Sequence, residues 1–358
     1  MRRTAALIVG GGPAGSAAAI GLARQGLRPL LIERDAEPKD ALCGGFLSWA
    51  TLARLQTLGV EAQALGGHRI TRLALFAGRR TAEASLPSPA AGLSRRTLDV
   101  ALLARAGEAG AIVERGVVAK GWEDGRIRLD GEDIAADTVL LATGKHELRG
   151  LARPKGDTIG LRFRLAPSAA LDRLHAGRIE LHLFRHGYAG LLLQEDGSAN
   201  LCLAARGSRL DEAAGKPDRL LAAIAEEIPA LGERLGAASA IGPCQAIANI
   251  PYGWRTSETE PGLFRLGDQA GVIPSLAGEG IDIALASGLA AADAIANGRA
   301  SDVYQAAMDR RMARPIGIAG AVWRTAEHPA GARGLIAATR LAPGLAALVA
   351  RLTRVAAH

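Results

Sequence analysis

Cysteine is scarce in this chain. Cys43, Cys202 and Cys244 stand far apart, with no Cys-x-x-Cys pair and no metal-ligand spacing. A disulfide framework and a zinc site are therefore not expected, and the thiols should stay reduced, as in a cytoplasmic protein. Aromatic residues make up only 3%, too few for the stacking platforms that hold single-stranded nucleic acid. Lysine is rare too: Lys39, Lys120, Lys145, Lys155 and Lys216 leave arginine to carry nearly all the positive charge. No apolar run reaches the roughly 18 residues that a membrane-spanning helix needs. The opening Arg2-Arg3 and the apolar residues after it superficially match a secretion signal, but the turn that follows makes them a strand. Internal repeats and low-complexity linkers are missing as well.

What is present is apolar bulk. With 358 residues, 49% of them hydrophobic, the chain can bury a large core as two domains or one elaborated domain. The net charge of +7 suits an ordinary soluble surface as well as an anionic partner. Outside the tail the arginines are scattered rather than clustered, so no nucleic-acid partner is expected.

The most informative stretch is the first. Apolar residues from Ala5 to Val9 lead into Gly10-x-Gly12-Pro13-Ala14-Gly15, an alanine-rich segment, and Leu30-Leu31-Ile32 ending in Glu33. This is the strand, glycine turn, helix and strand of a dinucleotide-binding unit. Gly10 permits the tight turn, Gly12 lets backbone approach a pyrophosphate, and Gly15 lets helix and strand pack closely. The helix N-terminus offers N–H groups and partial positive charge to phosphate. Glu33, 18 residues past Gly15, is placed to accept from a ribose hydroxyl. At this point NAD and FAD fit equally.

Further along, Thr51 to Leu58 reads as a helix, and His68 to Leu86 as two strands around a short glycine turn. Ser94 is the expected N-cap of a helix with Leu98, Leu102 and Leu103 on one face. Strands follow at Ala111 to Val118, Arg126 to Leu129 and Asp137 to Leu141, the last ending in Ala142-Thr143-Gly144. From Thr158 to Ile250 strands dominate, interrupted by a helical piece from Pro217 to Leu235. Leu263 to Leu266 then runs into Gly267-Asp268, a long helix begins near Gly278, and the tail from Ser301 is helical. The expected fold is α/β. A Rossmann-like nucleotide-binding domain (residues 1–66, 92–150 and 251–300) carries an inserted, mainly antiparallel β substrate domain (67–91 and 151–250) and C-terminal helices (301–358).

An acid after a buried strand, as in Gly267-Asp268, can hold a ribityl hydroxyl. Together with the glycine turn, Glu33 and Ser94-Arg95-Arg96, it resembles the FAD-dependent oxidoreductases of the p-hydroxybenzoate hydroxylase type. The matching positions span residues 4 to about 297. The resemblance implies that Glu33 holds the adenosine ribose, that Arg95 rather than Arg96 reaches the FAD, and that Asp268 holds the ribityl chain. Pro13, Ala14, Arg34, Val118, Ala142, Thr143 and Gly144 complete the expected cofactor contacts. Within that superfamily the chain is similar to the geranylgeranyl reductase branch. Cys43-Gly44-Gly45 resembles that branch's CGG beside the isoalloxazine ring, and Gly278-Glu279-Gly280-Ile281 its GEGI helix under the flavin. Gly187-Tyr188-Ala189-Gly190 resembles its substrate-facing GYxW strand, with Gly190 where Trp is usual, so a different pocket is expected. The central Asp-Gly motif of the hydroxylases is missing, and so are the Trp-x-Trp motif and assignable lysine of flavin halogenases.

The expected activity is reduction of a carbon–carbon double bond in a lipophilic substrate, with NAD(P)H as a transient electron donor. The alternatives are an FAD-dependent monooxygenase acting on an aromatic or polyketide-like substrate, and a non-catalytic flavoprotein. Cys43 is the catalytic candidate, as proton donor; the plainer role is a small packed hydrophobe. Tyr188, His186 and Gly190 are the expected substrate contacts. Six arginines and one acid, Glu327, accompany the leucine-rich stripe of the tail. That tail is expected to cap the core, with peripheral membrane contact through its basic helices as the alternative.

Overall fold

The computed structural model describes residues 2–355. The chain opens with β1 (Arg2–Val9), α1 (Pro13–Arg24) and β2 (Leu30–Glu33), the unit read from the glycine turn. A short β3 (Phe46–Leu47) and α2 (Trp49–Thr57) precede the long hairpin of β4 (His68–Ala77) and β5 (Arg80–Gly92). Next come α3 (Arg95–Ala109), β6 (Ile112–Arg115), β7 (Gly121–Glu123), β8 (Arg126–Arg128) and β9 (Asp133–Leu141). Then follow β10 (Thr158–Leu165), α4 (Ala169–His175), β11 (Arg178–Phe184), β12 (Gly187–Leu193) and β13 (Ala199–Arg206). Helices α5 (Gly207–Glu212), α6 (Pro217–Glu227) and α7 (Pro229–Gly236) lead to β14 (Gln245–Ile250) and β15 (Leu263–Arg265). The chain closes with α8 (Gly280–Ala296), α9 (Ser301–Ala326), α10 (Pro329–Leu341) and α11 (Gly344–Leu352).

Two sheets result. The first runs β6-β2-β1-β9-β8-β7, with β15 also paired to β9. Its centre is parallel, Leu7 lying opposite both Leu30 and Val139. Ala6 to Val9 are buried on both faces, which is why the strand reads as an unbroken apolar run rather than an alternation. Helices α1 and α8 lie together on one face at very close range. A Cβ on Gly288 would stand 2.3 Å from the Ala14 carbonyl oxygen, and one on Gly21 2.6 Å from the Ala292 Cβ. The alanine-rich sequence of both helices is the consequence.

The second sheet runs β14-β10-β13-β12-β11-β4-β5-β3. Its pairs are antiparallel except β4 with β11. Side chains alternate along its strands. Ala189 and Leu191 of β12 and Leu201 and Leu203 of β13 pack in a core with Leu220, Ile224, Ile228 and Leu231 of the α6–α7 segment. The opposite face of β11 and β12, with Leu181, Leu183 and Tyr188, looks toward the first sheet's ligand side and the C-terminal helices.

Several expected boundaries shift, three of them informatively. The helical piece at 217–235 is two helices, because Pro229 pushes Ile228 out of the helical region (φ −128°, ψ 89°). The strand expected to run to Val118 stops at Arg115, where Gly116 turns with φ of +75°. Strand β3, inside the stretch assigned to the nucleotide unit, pairs with β5 of the second sheet, Phe46 opposite Gly92.

Candidate active site

A single cavity of about 960 Å³ runs from the glycine turn to the C-terminal helices. Its nucleotide end is built on β1, α1 and β2. Gly10 holds φ of +108°, and a Cβ on Gly15 would fall 1.9 Å from the Gly10 carbonyl oxygen. Gly15 therefore backs the turn from behind, while Gly10, Gly12, Pro13 and Ala14 line the cavity. Helix α1 starts at Gly12 with no side-chain cap, whereas α2 and α3 are capped by the hydroxyls of Ser48 and Ser94. An uncapped helix start facing a cavity can receive a phosphate. Glu33 Oε2 accepts from the Gly11 N–H at 2.6 Å, and its Oε1 accepts from the Asp35 N–H at 3.0 Å. The carboxylate is thereby fixed at the end of β2 beside Arg34. Of the two candidate arginines, Arg95 is in the cavity, its guanidinium 3.3 Å from where a Gly12 Cβ would stand. It donates twice to Asp99, at 2.8 and 2.7 Å. Burial works against its charge, but the Asp99 carboxylate outweighs this and holds it firmly protonated.

At the middle of the cavity the loop Cys43-Gly44-Gly45 meets Gly267, Asp268, Gly278, Gly280 and Ile281. Open space surrounds the positions of a Cβ at Gly44 and at Gly280, whereas a Cβ on Gly278 would stand 2.7 Å from the Phe46 ring. The loop is held from the second sheet. Asn200 Nδ2 donates to the carbonyls of Cys43 at 2.9 Å and Gly44 at 2.7 Å, and Arg162 Nε donates to Asn200 Oδ1 at 2.7 Å. The Cys202 thiol donates to the Cys43 carbonyl at 3.0 Å. Burial pushes that thiol up to about 12, so Cys202 stays protonated. Cys43 is half-buried, and its Sγ accepts from the Gly45 N–H at 3.5 Å. Gln269 ties the Gly267-Asp268 turn to the loop after β9, donating to the carbonyls of Gly144 at 2.9 Å and His146 at 3.1 Å.

Beyond the loop the walls become apolar: Leu73 and Leu75 of β4, Leu181 and Leu183 of β11, Leu192 of β12, and Leu335 of α10. A cluster of hydroxyls interrupts them. Tyr188 Oη donates to Ser275 Oγ at 2.7 Å, Tyr252 shares the same hydroxyl, and the Trp323 ring stands edge-on to both tyrosines at 5.9 and 5.7 Å. Burial raises both phenols, Tyr252 to about 12. Neither ionises near neutral pH, so both can donate.

The described donor set fits a dinucleotide whose flat ring passes the glycine loop, and comparison with known proteins agrees. Residues 3–147 match the FAD binding domain family. A menaquinone reductase of Mycolicibacterium smegmatis is 26% identical over 85% of this chain and 79% of its own length. A digeranylgeranylglycerophospholipid reductase of Methanopyrus kandleri is 27% identical over 85% of this chain and 80% of its own. Among solved structures, a geranylgeranyl bacteriochlorophyll reductase-like protein of Thermoplasma acidophilum superposes with a TM-score of 0.75 at 22% identity, covering 99% of this chain and 94% of that one. A flavin-dependent brominase superposes at 0.83 with 17% identity, covering 98% and 93%. The protein is an FAD-dependent oxidoreductase. The brominase shares its fold.

In this oxidoreductase the cavity gathers nearly all of the residues expected from sequence: the glycine turn, Glu33, Arg34, Cys43 to Gly45, Arg95, Val118, Ala142 to Gly144, Gly267, Asp268, Gly278, Gly280, Ile281, Tyr188 and Gly190. His186 is elsewhere. It sits at the β11–β12 turn with φ of +62°, its N–H donating to the Glu327 carbonyl at 2.7 Å, and lines a separate small cleft with Arg206 and Asp157. A hairpin turn cannot keep to the strand's alternation, so nearness to Tyr188 in sequence does not carry His186 to Tyr188's face. His182, on the opposite face of β11, is buried against Phe76, their ring centroids 4.7 Å apart. Asn200, Arg162, Ser275, Tyr252 and Trp323 carry no sequence signal, because their roles arise from strand register and loop closure. Lys145 also lines the cavity, its Nζ donating to the Leu42 carbonyl at 3.1 Å.

Proposed function

We propose that this oxidoreductase reduces a carbon–carbon double bond of a lipophilic, prenyl-type substrate, drawing its electrons from NAD(P)H. The observation that carries the reading is the continuous passage from the nucleotide grip, past Cys43-Gly44-Gly45, into a leucine-lined chamber. Reductases of menaquinone and of a digeranylgeranyl lipid among the relatives support it. FAD, when bound, supplies the hydride. The chain's own residues do the rest. The N-terminal turn of α1, Glu33 and Arg95 hold the ADP portion, and Asp268 the ribityl chain. Asn200 and Arg162 fix the Cys43 loop, so that the thiol stands where the passage opens into the chamber. Cys43 gives the proton that accompanies hydride addition, and a proton from solvent restores it. The leucine walls exclude water and select apolar length. Tyr188, Tyr252 and Ser275 offer a cluster of hydroxyls where a carbonyl or hydroxyl of the substrate finds donors.

The test is anaerobic. The purified yellow protein, reduced with NADH or NADPH, is mixed without oxygen with a menaquinone or a geranylgeranyl lipid, and the product is identified by mass. A product that keeps two added hydrogens in its prenyl chain after any quinol has been reoxidised supports the reading. No saturated product without oxygen, together with oxygen uptake tied to substrate turnover once the same mixture is aerated, would replace it with a monooxygenase.

A further inference from the structure

We propose that the corner between α10 and α11 is a docking surface for an anionic lipid bilayer. Leu341, Leu345 and Leu348 are 87%, 48% and 50% exposed. Single exposed leucines are ordinary, but three within eight residues of one bend form a patch. The two helices meet at 114°, so the bend projects these side chains outward. Their other faces are already occupied. Ala332 and Ile336 of α10 are buried on the second sheet, and Ala346, Val349 and Ala350 of α11 line the cavity. Leu345 both lines the cavity and is half-exposed. Helix α11 is therefore a thin wall with the lipophilic chamber on one side and the patch on the other.

Charge names the occupant. Arg333, Arg340 and Arg351 are exposed around the corner, and no Asp or Glu follows Glu327 in the sequence. Arg340 Nε donates to the Thr81 carbonyl at 2.6 Å, which brings the exposed Arg79-Arg80 turn beside the end of α10. The nearby acid Glu83 is paired with Arg72 at 3.0 Å. An apolar wedge within a ring of arginine combines the two signals that stable surface binding to anionic lipid requires. A second copy of the chain would set arginine against arginine across the same face. Crossing the bilayer does not suit these helices. Among the described residues no single helix is long and apolar enough, and a span by the bent pair would pull Ile336 out of the core.

The experiment is flotation of the FAD-loaded protein with vesicles of phosphatidylcholine alone or mixed with phosphatidylglycerol. The wild-type protein should float with the mixed vesicles and release as salt rises. The double substitution Leu341→Glu/Leu348→Glu should weaken binding about tenfold or more, and Arg333→Gln/Arg351→Gln about fivefold per arginine. None of these four residues lines the cavity, so FAD content and melting temperature serve as folding controls. Wild-type protein that stays unbound, or a leucine variant that floats as well as wild type, overturns the proposal. Self-association abolished by the leucine substitutions, without vesicle binding, assigns the corner to a second copy and overturns it too. The proposal takes the lipophilic chamber from the functional reading, but flotation is read without turnover, so either can fail alone.

Discussion

Cys43 is the residue on which the proposed chemistry turns. It lines the cavity at the end of the glycine loop, half-buried, with its carbonyl held by Asn200 and Cys202. Because the loop is fixed through its backbone, truncating the side chain should leave it in place. Cys43→Ala is expected to retain FAD while lowering anaerobic turnover by about 10²-fold, the usual contribution of a positioned proton donor. Flavin absorbance and single-turnover product formation check this, and unchanged turnover would reduce Cys43 to packing. Gly15 makes the opposite kind of prediction. A Cβ there would meet the Gly10 carbonyl at 1.9 Å, so Gly15→Ala should displace the turn and yield protein largely without FAD. Tight FAD retention by that variant would mean the turn gives way without cost. These residues were legible in the sequence because each belongs to a short local motif. Asn200 and Ser275 were not, because they reach the site through pairing with segments far away in the chain.

At the scale of elements, strand β12 shows how the chamber is sized. Gly190 lies between Leu181 of β11 and Cys202 of β13. A Cβ there meets nothing nearer than the Leu181 and Tyr188 side chains at 3.6 Å. The position is open toward the cavity, so Gly190→Trp should fold and shorten the chamber. Turnover of long prenyl substrates should fall at least about tenfold relative to short ones, as a competition assay with two chain lengths would show; an unchanged ratio would remove Gly190 from the chamber wall. The departure from the reductase strand motif was visible in sequence, but its effect on volume needed the register. The reverse face of β11 was not legible at all. There Glu180 receives Arg234 through two bonds at 3.0 Å and His182 at 3.1 Å, with His175 at 3.6 Å, all buried behind α4 and α7. Burial pulls His175 down to about 4. Burial pushes Glu180 up, but its bonds to His182 and Arg234 prevail and hold it at about 2. A histidine depressed in the fold lends stability above its free value of 6.5 and loses it as pH falls toward about 4. Glu180 gives way only lower still, between 4.5 and about 2. Melting temperature should therefore begin to drop once pH passes below 6.5. Replacing His175 with Phe should flatten that drop by on the order of 1–3 kcal/mol; an unaltered pH profile would place the sensitivity elsewhere.

At the scale of the molecule, the end of the C-terminal helices is tied to the cofactor end of the fold by a buried ion pair, beside the packing of α9 and Val355 in the same core. Arg354, just past α11, pairs with Glu279 at the start of α8 and lies 4.2 Å over the Trp49 ring of α2. Ser48 donates to the same carboxylate at 3.4 Å, and Arg54 pairs with Asp282 one turn on at 2.8 Å. Burial works against both partners, raising Glu279 and lowering Arg354. Removing one leaves the other without its counter-charge in a dry site, a loss of about 3–5 kcal/mol. Arg354→Ala should therefore lower the melting temperature and free α10 and α11, exposing Arg333 and Arg340 to trypsin faster than in the wild type. Adding Glu279→Gln should recover part of the loss, because a neutral amide is far less costly to bury than an unpaired carboxylate. A wild-type digestion rate in Arg354→Ala would show that α10 is held without the ion pair, by Ala332 and Ile336 on the sheet and by Arg340 on the Thr81 carbonyl. Partial recovery in the double variant separates the ion pair from the stacking on Trp49, which both variants lack, and so shows that the electrostatic contact helps join the roof of the chamber to the cofactor helix.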